Sequence, residues 1–149
     1  MTTVLIVDDA PDIRLLVGAV LQRAGHAVVE AAGGPEALGL LDGGLRPDAA
    51  ILDVQMPDVD GWQTLMAIRQ RADCGDLPVV MCTVRSHPDD ATHAWTLGCD
   101  GFLTKPFTIS DLADEITAVL SRSPDERHSM RRARLAALRE QSDAAAIHR

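Results

Sequence analysis

Short apolar runs alternate with longer segments of helical periodicity five times along the chain. The runs are nearly continuous and rich in β-branched residues, which is typical of parallel strands buried on both faces. In the segments between them, apolar residues recur every three or four positions, which predicts helices with one face against a core. The pattern predicts strands within 3–9, 26–32, 47–57 (ending in Asp53), 77–84 and 100–106, and helices at 10–25, 34–44, 60–74, 88–98 and 108–122.

Five strand–helix units in alternation predict an α/β fold, a doubly wound five-stranded parallel sheet with helices on both faces. Leu16, Met66 and Ile109 fall in the apolar rows of their helices and are expected to face the core. Trp95 lies off the inner row of its helix, so we expect it to be partly exposed. In such folds the functional crevice lies outside the carboxyl ends of the strands, which makes the residues at those ends the first candidates for function.

Charged and polar side chains stand at four of the five predicted strand ends: Asp8 and Asp9, Asp53, Thr83, and Lys105. A single aspartate after a strand is usually a turn residue or a helix cap, but that explanation does not cover their convergence on one sheet edge. Clustered carboxylates repel one another unless one is protonated or a cation lies between them. Oxygen ligands favour Mg²⁺, Mn²⁺ or Ca²⁺, and a small site that keeps several waters favours Mg²⁺.

This set of side chains predicts a site that receives a phosphoryl group. An aspartate can act as the nucleophile and form an aspartyl phosphate, while a metal ion and an ammonium stabilise the charge on the transferred oxygens. Lys105 is the only lysine among the 14 Lys and Arg residues. Its compact ammonium suits a phosphoryl oxygen that is present only part of the time, although a single lysine also arises by chance in an arginine-biased chain.

Four segments resemble the receiver domain of two-component response regulators: "LIVDDAPDIRLLV", "PDAAILDVQMPDVDGWQTL", "LPVVMCTV" and "GCDGFLTKPF". The resemblance covers about residues 3–121 and implies a flavodoxin-like (βα)5 receiver domain at 1–122. It also implies a role for each matching residue. These roles are Asp53 as the phosphoacceptor that forms 4-aspartylphosphate, Asp8, Asp9, Asp53 and the Gln55 carbonyl as Mg²⁺ ligands, Thr83 and Lys105 as phosphoryl contacts, Thr83 and Phe102 as switch residues, and a cis bond before Pro106.

The resemblance implies a phosphorylation switch rather than an enzyme, apart from Mg²⁺-assisted self-phosphorylation and autodephosphorylation. A histidine kinase or phosphotransfer protein would supply the phosphoryl group, and a downstream protein of unknown identity would respond. Phosphorylation would rearrange the face made by the fourth helix, fifth strand and fifth helix. The protein would be a monomer or a phosphorylation-dependent dimer.

Two other functions use parts of the same pattern. A Mg²⁺-dependent phosphohydrolase would use the same carboxylates, but we find no cap insertion that would supply a substrate pocket and a general acid. A pseudo-receiver would keep the fold and act as an interaction module without phosphorylation. Val84 stands where the family usually has Ala or Gly, and it is the one residue that supports the pseudo-receiver.

Composition predicts a cytoplasmic protein that does not bind nucleic acid directly. Residues 1–121 hold 7 basic and 18 acidic residues, which disfavours a nucleic-acid surface on that part of the chain. The amino-terminal residues lack the basic region of a signal peptide, and no run reaches the ~18 apolar residues of a membrane span. Three cysteines without a CxxC pair are expected to be reduced thiols, and the five histidines show no ligand spacing.

The last residues, 123–149, are predicted to form a helical, partly flexible extension, with a helix over about 125–141. This segment holds 7 basic and 4 acidic residues once Arg122 is included, and its apolar stripe is thin. Three interpretations remain open: a solvated continuation of the fifth helix, a dimerising helix, or a docking segment for a partner.

Overall fold

The computed structural model describes residues 1–56, 60–84 and 88–147 of the 149. Its elements alternate from strand to helix and end in two successive helices. They are β1 Thr3–Val7, α1 Pro11–Arg23, β2 Ala27–Ala31, α2 Gly34–Asp42, β3 Ala49–Asp53, α3 Gly61–Arg69, β4 Val79–Thr83, α4 Pro88–Leu97, β5 Gly101–Thr104, α5 Ile109–Ser121 and α6 Pro124–Ile147.

The five strands form one parallel sheet in the order β2-β1-β3-β4-β5. The predicted α/β fold with a flavodoxin-like five-stranded sheet is therefore confirmed. β3 and β4 are buried along their whole length, as expected for continuous apolar runs covered on both faces. The strand order reverses between β1 and β3, because β2 lies on one side of β1 and β3 on the other, which places the switch point of the sheet at the carboxyl ends of β1 and β3.

The core has two layers, one on each face of the sheet. One contains Leu65 and Ile68 of α3 together with residues of α2 and α4. The other contains Leu21 of α1 and Leu112 and Ile116 of α5. Each helix thus buries a narrow apolar row, as an amphipathic helix does in a layered α/β protein.

Three residues expected to face the core are exposed instead. Leu16, Met66 and Ile109 have relative exposures of 53%, 44% and 57%. Each lies at the edge of its helix's apolar row, and that row is already filled by neighbours such as Val17 and Leu65. The sequence pattern therefore identifies the buried face of each of these helices, but it assigns to that face residues at its edge that are exposed to solvent.

The prediction that Trp95 is partly exposed was wrong, because α6 packs along α4. Trp95 is 8% exposed and belongs to the core layer, against which Leu135 and Leu138 of α6 also pack.

The interpretation of the tail as a solvated continuation of α5 is also wrong. At Arg122 the backbone is extended, with φ −91° and ψ 140°, and a separate helix, α6, begins at Pro124. The helix is longer than predicted and ends at Ile147.

Candidate functional site

The carboxyl ends of β1, β3 and β5 bring three of the predicted site residues together. Asp53 is the last residue of β3, Asp8 follows β1 directly, and Lys105 follows β5. β4 lies between β3 and β5 in the sheet, so Lys105 has to reach past it to the acidic residues. A long, flexible lysine stem is suited to that reach.

The Lys105 ammonium contacts two carboxylates of the site. Its Nζ lies 3.1 Å from Asp8 Oδ2, to which it donates a hydrogen bond, and 3.4 Å from Asp53 Oδ2. The other oxygens of these carboxylates accept from backbone amides: Ala10 N donates to Asp8 Oδ1 over 2.9 Å, and Gln55 N donates to Asp53 Oδ1 over 3.3 Å. Both carboxylates are buried and held in fixed orientations.

Asp9 completes an acidic cluster with Asp8 and Asp53. One carboxylate oxygen from each lies within 4.8 Å of the others, and Asp9 is the exposed member. Mg²⁺ binds oxygen at about 2.0–2.1 Å, so two of its ligands are up to about 4 Å apart. The three carboxylates therefore fit a hard divalent cation after small side-chain movements, with the exposed side of the cluster open to water.

The electrostatics of the site leave it with excess negative charge. Burial raises the pKa of Asp53, the charge of Lys105 lowers it, and the charge of Asp8 raises it, with a raised pKa as the result. Burial alone would lower the pKa of Lys105, but the charges of Asp53 and Asp8 outweigh it and raise that pKa. One ammonium thus faces three carboxylates, and a further cation would relieve the repulsion.

A close backbone contact fixes α3 directly behind Asp53. A Cβ on Gly61 would lie 2.3 Å from the Asp53 carbonyl oxygen and 2.8 Å from Val54 Cα, so only glycine fits there. The Asp60 side chain caps α3 by accepting from Gln63 N over 2.9 Å. Residues 57–59 of the intervening loop lie outside the described part of the chain, as do two of the five histidines, those at 87 and 148.

The remaining predicted residues lie on β4, on β5 or directly after β5. Thr83 is fully buried at the end of β4, one residue beyond Cys82, which is in register with Asp53. Phe102 is half-buried in β5 and packs against the α2–α3–α4 core layer. The Lys105–Pro106 peptide bond is cis. Burial raises the pKa of Cys82 to about 12, so that thiol stays protonated near the site at neutral pH.

Sequence reasoning missed Arg14, which supports the amino-terminal part of the cluster. Its Nη1 donates to the Asp8 carbonyl oxygen over 2.7 Å, and its Nε lies 3.3 Å from Glu30 Oε1. The position of Arg14 in the first turns of α1, directly after the two aspartates, was the available signal. Through these two contacts, Arg14 holds the backbone between the end of β1 and the start of α1 against β2.

Comparison with known proteins gives a consistent assignment for most of the chain. The family model described as the response regulator receiver domain matches residues 4–117. The DNA-binding dual master transcriptional regulator RpaA of Synechocystis sp. is 34% identical over 123 residues, which are 83% of this chain and 51% of RpaA. The chain spans about half the length of the curated relatives it matches.

Two solved structures show the same fold along nearly their whole length. The chemotaxis protein CheY4 of Vibrio cholerae is 35% identical, with a TM-score of 0.75 over 80% of this chain and 98% of CheY4. The response regulator TrrA of Thermotoga maritima, in complex with Mg²⁺–BeF, is 30% identical, with a TM-score of 0.70 over 80% of this chain and 99% of TrrA. Within the described residues, no helix has the length and apolar character required to span a bilayer.

Proposed function

The chain belongs to the response regulator receiver family, and from that premise we propose that Asp53 accepts a phosphoryl group. One observation carries the proposal: the buried Asp53 carboxylate lies beside the ammonium of Lys105, 3.4 Å away, and within a cluster of acidic oxygens. This arrangement orients one nucleophilic oxygen and supplies positive charge where negative charge develops during transfer.

The reaction is a displacement at phosphorus. A carboxylate oxygen of Asp53 forms the new O–P bond while the bond between phosphorus and the donor nitrogen of a phosphohistidine breaks, and that nitrogen keeps the electron pair. Lys105 then exchanges part of its contact with Asp8 and Asp53 for a phosphoryl oxygen, which a flexible ammonium does readily. The hydroxyl of Thr83 donates to the phosphoryl group.

We assign Mg²⁺ binding to Asp8, Asp9 and Asp53, with the Gln55 carbonyl as a further ligand. The support is the oxygen-only donor set, the 4.8 Å spread of the three carboxylates and the Mg²⁺-bound relative. When bound, Mg²⁺ supplies charge neutralisation for the transferred group. Asp9 is the exposed member of the cluster, so Mg²⁺ reaches the site from solvent on the side of Asp9.

The phosphorylated state changes partner binding through Thr83, Phe102 and the face formed by α4, β5 and α5. Thr83 and Phe102 lie on adjacent strands, β4 and β5, where Thr83 is in register with Thr104, two residues beyond Phe102. The donor is a histidine kinase or a phosphotransfer protein, and the target is a downstream protein. Phosphorylation of Asp53 acts as a bound ligand would, by shifting a pre-existing equilibrium between two conformations of this face.

The protein acts as a switch, with the receiver domain at 1–122 and α6 within the extension at 123–149. Cytoplasmic location, a monomer or phosphorylation-dependent dimer, and no direct nucleic-acid binding remain predictions. The name of the relative RpaA describes a DNA-binding regulator of about twice this length. The acidic body of this chain, with 18 acidic residues in 1–121, supports a protein partner.

Intact mass after incubation with acetyl phosphate and Mg²⁺ tests the proposal. We expect one added phosphoryl group in the wild type and in Asp114→Ala, a change at an exposed aspartate of α5. The gain should be absent in Asp53→Ala and in the presence of a chelator. No Asp53-dependent gain from acetyl phosphate or from a phosphorylated phosphotransfer protein would contradict the proposal and favour the pseudo-receiver.

A further inference from the structure

The segment after α5 turns back and covers part of the α4–β5–α5 face. α6 packs along α4, and its Leu135 and Leu138 contact the core layer that contains Trp95. Trp95 lies off the apolar row that the sequence pattern predicts for α4, yet it is only 8% exposed. α6 therefore occupies the surface through which a receiver would present its state to a partner.

A buried ionic contact fixes the first half of α6. Asp100, whose side chain is fully buried, accepts from Arg131 Nη2 over 2.8 Å and lies 3.4 Å from Arg127 Nε. Arg131 Nε also donates to the Cys99 carbonyl oxygen over 3.1 Å, and Arg127 Nη2 donates to the Asp76 carbonyl oxygen over 2.9 Å. Arginines four residues apart face the same way on a helix, so both engage this surface together.

The packing of α6 against the receiver leaves a groove. A groove of about 310 Å³ remains between α6 and the elements α4, β5 and α5. Its wall includes Trp95 and Phe102 on the receiver side and Met130 and Leu138 on the side of α6. The fit beside Phe102 is incomplete, so a change in the Phe102 side chain alters the packing of α6 directly.

One strand joins the anchor of α6 to the acidic site. Asp100 immediately precedes β5 and Lys105 immediately follows it. Both ends are bonded to β4: Asp100 N donates to the Val79 carbonyl oxygen over 2.7 Å, and Lys105 N donates to the Thr83 carbonyl oxygen over 2.7 Å. A shift of β5 at its Lys105 end is therefore expected to move Asp100 at its other end.

We propose that α6 is a resident helical ligand of the α4–β5–α5 face, held by Arg127 and Arg131, and that phosphorylation of Asp53 weakens its hold. The linkage to phosphorylation rests on the proposed function, whereas the docking of α6 does not. A rearrangement of Phe102 and β5 on phosphorylation, as the proposed function requires, would change the wall of the groove against which α6 packs. The face fits a partner of the same chemistry, an amphipathic helix with two arginines four residues apart and an apolar stripe beyond them.

Amide hydrogen exchange of the full chain, followed by mass spectrometry, tests the docking. Arg131→Ala removes the contacts with Asp100 and Cys99, and we expect exchange in residues 124–147 to become faster by at least about tenfold. Arg132→Ala is the matched control, because this neighbouring exposed arginine bonds only to the Ser129 hydroxyl among the described residues. Equal exchange in the two variants, or an α6 already unprotected in the wild type, would overturn the docking.

The same measurement with Mg²⁺ and beryllium fluoride, a stable phosphoryl mimic, tests the linkage. We expect slower exchange around Asp53 and faster exchange in residues 124–147, with no change in Asp53→Ala. In Trp62→Phe, which leaves Trp95 as the only tryptophan, the emission should shift to longer wavelength as α6 leaves. Protection around Asp53 without a change in α6 would overturn the linkage alone. No change in exchange, either around Asp53 or in residues 124–147, would overturn the linkage together with the proposed function. The docking of α6 would then still be decided by the Arg131→Ala comparison.

Discussion

The two edges of the sheet carry ionic clusters of opposite composition. At the carboxyl edge, the carboxylates of Asp8, Asp9 and Asp53 cluster together, and the ammonium of Lys105 contacts two of them, those of Asp8 and Asp53. At the amino edge, the single carboxylate of Asp100 contacts the guanidinium groups of three arginines: Arg69 at 2.9 Å, Arg127 at 3.4 Å and Arg131 at 2.8 Å.

The difference between the clusters lies in how the surplus charge is satisfied. At the amino edge, the spare arginine donors bond to backbone carbonyl oxygens, such as those of Leu77 and Gly98 from Arg69. At the carboxyl edge, one carboxylate is exposed and the pKa of Asp53 is raised. Most of the donors of the amino-edge cluster are paired within the protein, whereas the carboxyl-edge cluster would be completed by the proposed Mg²⁺ and phosphoryl group.

The largest expected effect is at the amino edge. Asp100→Asn leaves three largely buried guanidinium groups without a counter-charge and should lower the free energy of unfolding by about 3 kcal/mol. For a chain of this length the melting temperature should fall by roughly 6–12 °C. Chemical and thermal denaturation measure both. Asp73→Asn is the control, because Asp73 is an exposed partner of Arg46 and Arg71, and it should cause no measurable loss of stability. Equal losses of stability in Asp100→Asn and Asp73→Asn would contradict a special role for the buried cluster.

Mg²⁺ should act only at the carboxyl edge. At a concentration ten times its dissociation constant it should raise the free energy of unfolding by about 1.4 kcal/mol, because it binds the folded carboxylates. Thermal denaturation with and without Mg²⁺ measures the effect, and Asp9→Asn should reduce it. An equal effect in Asp9→Asn would show that the ion binds elsewhere.

Neutralising one carboxylate should stabilise the carboxyl edge, in contrast to the amino edge. Without Mg²⁺, Asp53→Asn should raise the free energy of unfolding by on the order of 1 kcal/mol at neutral pH, because it removes a buried charge that repels Asp8. Urea denaturation measures this difference. A loss of stability would mean that Lys105 outweighs the repulsion and that the site is balanced without a metal ion.

The smallest effect is the pH dependence of that same difference. Because the folded pKa of Asp53 is raised, its contribution to stability is present below the unfolded value of 3.8 and is lost as pH rises through the folded pKa. The stability of the wild type relative to Asp53→Asn should therefore fall as the pH rises from acid to neutral. Urea denaturation of both proteins across this range measures the trend, and a rising difference would contradict the assigned sign.

Local patterns in the sequence were sufficient for the sheet and for most of the acidic site. β3 reads as a continuous apolar run that ends in Asp53, and the parallel arrangement alone brings that end beside Asp8. Only a parallel sheet of these strands is needed for this, and the period of each segment identifies the alternating strands and helices that predict one. The metal and phosphoryl roles of these residues stay predictions.

The amino-edge cluster could not be predicted in the same way. Arg127 and Arg131 are two of several arginines in a basic tail, and their partner Asp100 is about thirty residues earlier in the sequence. No periodicity links such residues, because the contact depends on how α6 folds back after Arg122. The buried state of Trp95 follows from the same contact and was missed for the same reason.

The short connection between α5 and α6 sets a threshold for any competing partner. Arg122 and Ser123 alone separate the two helices, since α5 ends at Ser121 and α6 begins at Pro124. A segment on so short a tether meets its binding surface at an effective concentration in the ~mM range. A free partner at micromolar concentration competes against a helix about a thousand times more concentrated, and lengthening this tether would lower the affinity that such a partner needs.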